Sequence, residues 1–165
     1  MKHWPKIQVH GRWHAMTVAQ CWPTHVLALV DDRSEAVMSP RREVVRHIEV
    51  FADITDAGSP YAPSRDQIAR IIEFGRTLRP DDQLLVHCAA GIGRSPAGAL
   101  AVWCALGREP VSALTSLMRI RPQADPNPLV VMYADDLLFP DTNRLRDAWR
   151  ARFRPGAAVA EELWL

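Results

Sequence analysis

The stretch His87-Cys88-Ala89-Ala90-Gly91-Ile92-Gly93-Arg94-Ser95 decides the fold of this chain. The apolar run Leu84-Leu85-Val86 leads into it and is typical of a strand buried on both faces. Small apolar residues at 97–106 follow it and predict a helix, for which Ser95 is a suitable N-cap and Pro96 a suitable first residue. The stretch is therefore predicted to be a strand-to-helix loop with a cysteine near its start and an arginine near its end.

A loop of this kind is suited to binding phosphate. When the backbone curls between a strand and a helix, successive N–H groups point inward above a helix N-terminus and attract an anion. Gly91 and Gly93 allow backbone conformations that other residues resist. The planar guanidinium of Arg94 matches two phosphate oxygens. The predicted phosphate-binding residues are Ala89, Ala90, Gly91, Ile92, Gly93 and Arg94.

Cys88 is the predicted nucleophile. The positive field of the loop favours its thiolate form, which would lie beneath a bound phosphate and attack the phosphorus in line. Ser95 can donate a hydrogen bond to the sulfur and make it a better leaving group in a second step, and His87 can fix the loop through its ring. A lone buried cysteine is often only a small hydrophobic residue. The surrounding strand, helix, glycines, histidine and serine together favour catalysis.

These residues also carry a resemblance. The pattern His-Cys-x-x-Gly-x-x-Arg-Ser is similar to the signature of the cysteine-dependent protein tyrosine phosphatase superfamily. Five residues match it position by position: His87, Cys88, Gly91, Arg94 and Ser95. The tyrosine-specific form usually has serine where this chain has Ala89. The resemblance is specific over residues 82–98 and looser over 25–138.

The size and order of the chain resemble the dual-specificity-type fold. At 165 residues the chain is too short for the large tyrosine-specific domain. It also resembles a group of short bacterial proteins named tyrosine phosphatase-like. The length suits a single phosphatase domain over 1–165, with a loosely held tail at about 155–165 in which the run Leu163-Trp164-Leu165 can dock on the body or on a neighbour.

Composition limits the classes of binding partner and the cellular compartment that we expect for the protein. The formal net charge of +1 gives no general reason to expect nucleic acid or an anionic membrane as a partner. No apolar run reaches about 18 residues, and the first ten residues lack the apolar region of a signal peptide. Three cysteines give no even disulfide framework and fit a reducing compartment. We therefore expect a cytoplasmic protein.

Apolar periodicity predicts alternating strands and helices. The predicted strands cover about 6–9, 25–30, 44–51 and 84–86. Residues 12–24 are predicted to be irregular or briefly helical. Five helices are predicted, over about 64–80, 96–106, 110–119, 127–138 and 141–153. Ser64 with Gln67 resembles a capping box at the start of the first, which Pro80 ends. Asn127 and Asp141 are the predicted caps of the last two. This alternation predicts an α/β fold with a mainly parallel central sheet flanked by helices, and the resemblance implies the dual-specificity-like phosphotyrosine protein phosphatase fold.

The resemblance further implies a general acid on a mobile loop upstream of the cysteine. A departing ester oxygen needs a proton, which a carboxylic acid can supply before it acts as a base toward water. Two candidates lie in this region, Asp53 and Asp56. Asp53 directly follows a predicted strand and is the favoured acid. Asp56 is the alternative, and whichever is not the acid is expected to stabilise a turn.

Three further features receive structural interpretations. Asp125-Pro126 is similar to the acid motif of low-molecular-weight tyrosine phosphatases, but their cysteine lies near the N-terminus, so Asp125 is assigned to a turn. Arg121-Pro122 and Pro126-Asn127 resemble a segment that packs behind the phosphate loop in dual-specificity-type phosphatases. Arg41-Arg42 is interpreted as a solvated pair of charges.

The remaining cysteines have two possible roles. Cys21 or Cys104 can pair with an oxidised Cys88, which would make the protein redox-regulated. A structural, buried role is favoured for each of them, because free cysteines are among the most buried residue types.

The predicted function is hydrolysis of phosphomonoesters through a cysteinyl-phosphate intermediate, on a phosphorylated protein or peptide. No metal and no cofactor is expected, because Arg94 and the loop amides already stabilise the transferring group. One alternative is a non-protein phosphoester such as a phosphoinositide, an RNA 5′ end or a small molecule. Members that act on inositol phosphates often place lysines in the loop, where this chain has Ala89, Ala90 and Ile92.

Two further alternatives change the class of activity. The chain can be a catalytically inactive phosphate-binding module, or a rhodanese-like sulfur transferase. The upstream aspartate argues against the first, and the histidine before Cys88 with Arg94-Ser95 after it argues against the second. The sequence leaves the physiological substrate and the oligomeric state open.

Overall fold

A computed structural model describes residues 3–156 of the chain. The predicted tail falls largely at 157–165, which lie outside the described residues. In chain order the elements are β1 (Lys6–Gly11), α1 (Arg12–Val18), β2 (His25–Val30), a short 3-10 turn (Arg33–Glu35), β3 (Val45–Val50), α2 (Arg65–Arg76), β4 (Gln83–Cys88), α3 (Arg94–Ala105), α4 (Pro110–Ile120), α5 (Pro128–Leu138) and α6 (Arg144–Phe153).

The four strands form one parallel sheet in the order β1-β4-β2-β3. The predicted mainly parallel sheet flanked by helices is therefore confirmed. Since the strands are parallel, their carboxyl ends meet at one edge, where ligands bind in such folds. Gly11 of β1 lies opposite Cys88 of β4 in the register. Cys88 thus ends an inner strand at the edge where a site is expected.

Two cores lie on opposite faces of β4. Alternate residues Leu84, Val86 and Cys88 pack into the main core, and Leu85 packs into a smaller core with α1. Helix α3 is buried along almost its whole length, which its alanines and glycine permit. The loop between β4 and α3 is therefore held between two rigid, buried elements.

Local capping chemistry is confirmed at two helices. Ser64 and Gln67 form the predicted capping box of α2. The side chain of Asn127 accepts hydrogen bonds from the N–H groups of Leu129 and Val130 at the start of α5. Both caps are contacts between residues within one turn of a helix, which is why the sequence reveals them.

Two predicted caps are wrong. Helix α3 begins at Arg94 with Gly93 as its N-cap, because the backbone winds from the loop directly into the helix, so Ser95 lies inside the first turn. Asp141 has a φ of 64° and lies before α6, whose N-cap is Asn143. The buried carboxylate of Asp135 on α5 instead accepts a 2.7 Å hydrogen bond from the N–H of Leu145.

Within residues 3–156, no helix is both long and apolar enough to cross a lipid bilayer.

Candidate active site

Cys88 lies at the centre of the loop. Its side chain is 1% exposed. The N–H of Gly91 donates a 3.2 Å hydrogen bond to its sulfur, and the hydroxyl of Ser95 lies 3.2 Å from the same atom. The loop therefore wraps around the sulfur, and both partners can stabilise a negative charge on it.

Close packing at the loop requires glycine at two positions, one in the loop and one at the end of β1. Gly91 has a φ of 72°, and a Cβ there would stand 2.7 Å from a guanidinium nitrogen of Arg121. Across the gap, a Cβ on Gly11 would stand 2.8 Å from the carbonyl oxygen of Ala90. The end of β1 and the loop thus pack backbone against backbone. Only the first of these glycines is part of the sequence motif.

Arg121 holds the outer side of the loop. Its Nε donates a 2.8 Å hydrogen bond to the carbonyl of Gly91, and its Nη2 donates a 2.9 Å bond to the carbonyl of Ala90. In a planar trans peptide the N–H points opposite to the C=O. Carbonyls directed outward to Arg121 therefore direct the following amides inward, as the bond from the Gly91 N–H to the Cys88 sulfur shows.

Arg94 is fixed at the end of the loop by two neighbouring strands. Its side chain is 4% exposed. Nη1 donates to the carbonyl of Phe51 (2.8 Å), which follows β3, and Nη2 donates to the carboxylate of Asp31 (2.9 Å), which follows β2. Its Nε is buried without a hydrogen-bond partner among the described residues. The planar group is thereby oriented, with one buried donor left for an anion.

The two candidate acids have different surroundings. The carboxylate of Asp53 lies against the loop, since a Cβ on Gly93 would stand 2.6 Å from its Oδ1 and closer still to its Oδ2. The carboxylate of Asp56 accepts a 2.9 Å hydrogen bond from the N–H of Gly58, which stabilises a turn. Of the two, only Asp53 contacts the phosphate loop.

Asn127 connects Asp53 to the loop. Its Nδ2 donates to Asp53 Oδ1 at 2.8 Å and to the carbonyl of Ile54 at 3.1 Å. Its own N–H donates to the carbonyl of Gly93 at 3.1 Å. Because its Oδ1 also caps α5, one buried residue links the helix to the segment of Asp53 and to the loop of Cys88.

His87 is buried and neutral. Burial, together with the positive charges of Arg12 and Arg94, lowers its pKa to about 4. Its Nε2 accepts a 3.0 Å hydrogen bond from the N–H of Val37, so the ring proton lies on Nδ1. The ring therefore fastens the connection between β2 and β3 to the strand that carries Cys88.

Other residues singled out in the sequence make structural contacts. The N–H of Asp125 donates to the carbonyl of Ile92, and its carboxylate pairs with Arg154. Arg41 donates to the carbonyls of Cys21 and Pro23, so it is a tie between segments and not a solvated charge.

The three cysteines are free thiols. Cys21 is exposed, so the expectation that it is buried is wrong. Cys104 is buried, and its burial raises its pKa to about 12, which keeps it protonated.

Sequence reasoning missed Gly11 and Asp31 as parts of the site. Each follows or ends a strand at the carboxyl edge of the sheet, which is the signal that could have identified them. The pairing of Asp31 with Arg94 joins residues 63 positions apart, and no local pattern reveals it.

No family model matches the chain, and no curated protein matches its sequence. Solved structures do resemble it. Human DUSP28 has a TM-score of 0.63 at 17% identity, covering 83% of this chain and 90% of its own. DUSP15 has a TM-score of 0.62 at 21% identity, and the match covers 94% of this chain and 97% of the DUSP15 chain.

A third similar structure is the human tyrosine phosphatase-like serine/threonine/tyrosine-interacting protein. Its TM-score is 0.59 at 18% identity, covering 82% of this chain and 93% of its own. Together with the parallel sheet and the wrapped cysteine loop, these likenesses give the chain the fold of the dual-specificity-like phosphatases of the cysteine-dependent protein tyrosine phosphatase superfamily.

Proposed function

We propose that the protein is a cysteine-dependent phosphatase that hydrolyses phosphomonoesters, with phosphotyrosine in proteins or peptides as the favoured substrate. One observation carries the proposal: the buried sulfur of Cys88 is wrapped by a loop that donates the Gly91 N–H to it and contacts it through Ser95. Arg94 and Asp53 lie at the same loop. This arrangement supplies a nucleophile, an anion cradle, a cation and an acid.

In the first step the loop amides and Arg94 bind the phosphate oxygens. The Cys88 thiolate attacks phosphorus, so that an S–P bond forms as the bond between phosphorus and the ester oxygen breaks. The departing oxygen takes a proton from the carboxylic acid of Asp53 and leaves as a phenol or alcohol. Charge on the transferring group is stabilised by donors that are already in position.

In the second step water hydrolyses the cysteinyl-phosphate. The carboxylate of Asp53 takes a proton from the water as the water oxygen bonds to phosphorus and the S–P bond breaks. The hydroxyl of Ser95 stabilises the departing thiolate through the contact at 3.2 Å. Inorganic phosphate is released, and Cys88 and Asp53 return to their starting states.

The loop also favours one substrate class over another. Ala89, Ala90 and Ile92 add no positive charge to it, so a highly anionic inositol phosphate gains little there compared with a phosphate on an aromatic ring. A thiolate nucleophile must stay reduced, so we further propose that the protein works in a reducing, cytoplasmic environment.

The test is hydrolysis of an aryl phosphate, with reductant and without added metal, by the wild type, Cys88→Ser and the matched control Cys21→Ser. We expect turnover in the wild type and in the control, and none in Cys88→Ser. Turnover that survives in Cys88→Ser would refute the proposal. A wild type that binds vanadate but turns over no ester would instead identify a phosphate-binding module.

A further inference from the structure

Several exposed apolar side chains lie on the phosphate loop or on segments near it in the fold. Within the described residues, five of the nine large exposed apolar side chains lie on segments that border it. Those five side chains are Trp13 (80% exposed), Tyr61 (73%), Met38 (60%), Met16 (45%) and Ile92 (43%). Single exposed apolar residues are normal, so the pair that lines one pocket, Met16 and Met38, is the informative part of this set.

Two of these side chains line a small pocket. Met16 on α1 and Met38 in the connection between β2 and β3 lie on its walls, together with Arg12, Glu35 and Val37. The volume of the pocket is about 190 Å³. That is smaller than a site for a drug-sized molecule, roughly 300–1,000 Å³, and suits one amino-acid side chain. Methionine is flexible and polarisable, so such walls adapt to apolar groups of different shape.

The pocket is joined to the residues on both sides of the nucleophile. The N–H of Arg12, on one wall, donates a 2.9 Å hydrogen bond to the carbonyl of Ala89. The N–H of Val37, on another wall, donates a 3.0 Å hydrogen bond to the ring of His87. Consecutive Cα atoms of a bound peptide are about 3.8 Å apart. Since these hydrogen bonds hold both walls against the segments that flank Cys88, the pocket is a candidate position for a residue next to the phosphorylated one.

One charged group of each sign lines the pocket, on Arg12 and on Glu35. The side chain of Arg12 makes no hydrogen bond or ion pair within the described part of the chain, yet its charge acts on the buried His87. A free cation near the phosphate loop attracts the anionic ester. At the pocket itself the charges of Arg12 and Glu35 are of opposite sign, so the pocket selects through its apolar methionine side chains and not through net charge.

We propose that Met16, Met38 and the stem of Arg12 form an apolar subsite that holds the apolar side chain next to the phosphotyrosine of a peptide substrate. This subsite rests on the proposed function and narrows its substrate class. The phosphate loop binds the ester, and the subsite reads the neighbouring residue. The specificity for peptides thereby comes from α1 and the β2–β3 connection.

The experiment compares phosphotyrosine peptides that differ only beside the phosphorylated residue, with leucine, serine or lysine on either side. Affinities are measured by titration calorimetry with Cys88→Ser, and kcat/KM with the active protein. For one of the two sides we expect the leucine peptide to bind about fivefold to tenfold more tightly than the serine peptide. The lysine peptide is also expected to bind more weakly than the leucine peptide, because a charged group is costly to bury among apolar side chains.

The variant Met16→Ser/Met38→Ser, made on the Cys88→Ser background for calorimetry and in the active protein for kinetics, should lower this ratio to near one. Val111→Ser is the matched control, because Val111 is 68% exposed on α4 and belongs to a different face. It should keep the full ratio. Hydrolysis of an aryl phosphate, which has no neighbouring residue, reports separately on the proposed function.

Three results would overturn the subsite. Equal affinities for the leucine and serine peptides would do so, even if the aryl phosphate is hydrolysed. A preference for the leucine peptide that persists in Met16→Ser/Met38→Ser would show that another surface recognises the leucine. Faster hydrolysis of phosphorylated inositol lipids in phosphatidylcholine vesicles, lowered by the same variant while the peptide ratio stays at one, would show that the surface contacts lipid. Because binding to Cys88→Ser needs no turnover, failure of the proposed function alone leaves the peptide preference measurable.

Discussion

Replacing Gly93 with alanine moves the proposed acid without straining the loop. Gly93 has φ −101° and ψ −71°, values that any residue adopts, so alanine adds no backbone strain. Its Cβ would stand 2.6 Å from Asp53 Oδ1, whereas ordinary contact begins at 3.4 Å. The carboxylate is the end of an exposed side chain and can give way. It must move by about 1 Å to restore ordinary contact, a distance at which a misplaced group loses much of its catalytic effect.

The expected magnitude follows from the role of the acid. General acid catalysis contributes about 10²- to 10⁴-fold, and a misplacement of about 1 Å costs about 10²-fold. We therefore expect Gly93→Ala to lower kcat/KM for phenyl phosphate by about 10- to 100-fold. The loss should be smaller for para-nitrophenyl phosphate, whose leaving group departs without a proton.

A double-mutant cycle identifies the route of this effect. If Gly93→Ala acts by displacing Asp53, it should change kcat/KM by less than about threefold in an Asp53→Ala background, since residues in contact are not additive. Thermal unfolding of each variant verifies that the fold is retained. An undiminished effect of Gly93→Ala in the Asp53→Ala background would refute the reasoning, because the added methyl group would then act on the loop itself.

Variants at three further residues test the supports of the site. Arg121→Met removes both hydrogen bonds to the loop carbonyls. It should weaken vanadate inhibition by about tenfold and lower the free energy of unfolding by about 1–2 kcal/mol. Arg121→Lys should show intermediate values of both quantities. Asn127→Ser keeps a cap on α5 but loses the hydrogen-bond donor to Asp53, so it should lower kcat for phenyl phosphate with little loss of stability. Asn127→Ala loses the cap as well, so it should also lower the free energy of unfolding by about 1 kcal/mol. His87→Gln keeps an acceptor for the N–H of Val37 but cannot titrate, so denaturant unfolding should depend less on pH between about 4 and 6.5.

The direction of that pH dependence follows from the lowered pKa. The folded protein holds His87 at a pKa of about 4, below the ordinary 6.5, so between these values the unfolded chain binds more protons. Stability is therefore lost as the pH falls from about 6.5 to about 4, by an amount on the order of 3 kcal/mol for the full shift. His10, whose pKa burial also lowers to about 4, keeps part of the slope in His87→Gln. Identical slopes in the variant and the wild type would contradict the buried, neutral ring.

Local chemistry in the sequence predicts the central elements. The apolar run before Cys88 and the small residues after it predict a buried strand and a buried helix, which fixes the loop between them. The caps at Ser64 and Asn127 are equally local. The predicted cap at Ser95 is wrong because the loop and the helix share one continuous winding, which the signal of a serine before a proline does not reveal.

Contacts between distant segments lie beyond such reasoning. The bond from Val37 to His87 spans 50 positions, and that from Arg94 to Asp31 spans 63. Sequence order favours Asp53 over Asp56 because Asp53 directly follows a strand, but it does not reveal that the Asp53 carboxylate packs against Gly93 while that of Asp56 stabilises a turn. These pairings depend on the order of the strands in the sheet, which no single stretch encodes.

The most direct test of the account is chemical identification of the phosphorylated intermediate. The variant Asp53→Asn is mixed with para-nitrophenyl phosphate, and the reaction is quenched before turnover is complete. This variant still forms the intermediate, because the leaving group needs no proton, but it hydrolyses the intermediate slowly. Mass spectrometry of the digested protein should find one phosphoryl group on the peptide that contains Cys88, and none in Cys88→Ser/Asp53→Asn. A phosphoryl group on another residue, or release of the aryl alcohol with no phosphorylated Cys88, would contradict the proposed mechanism.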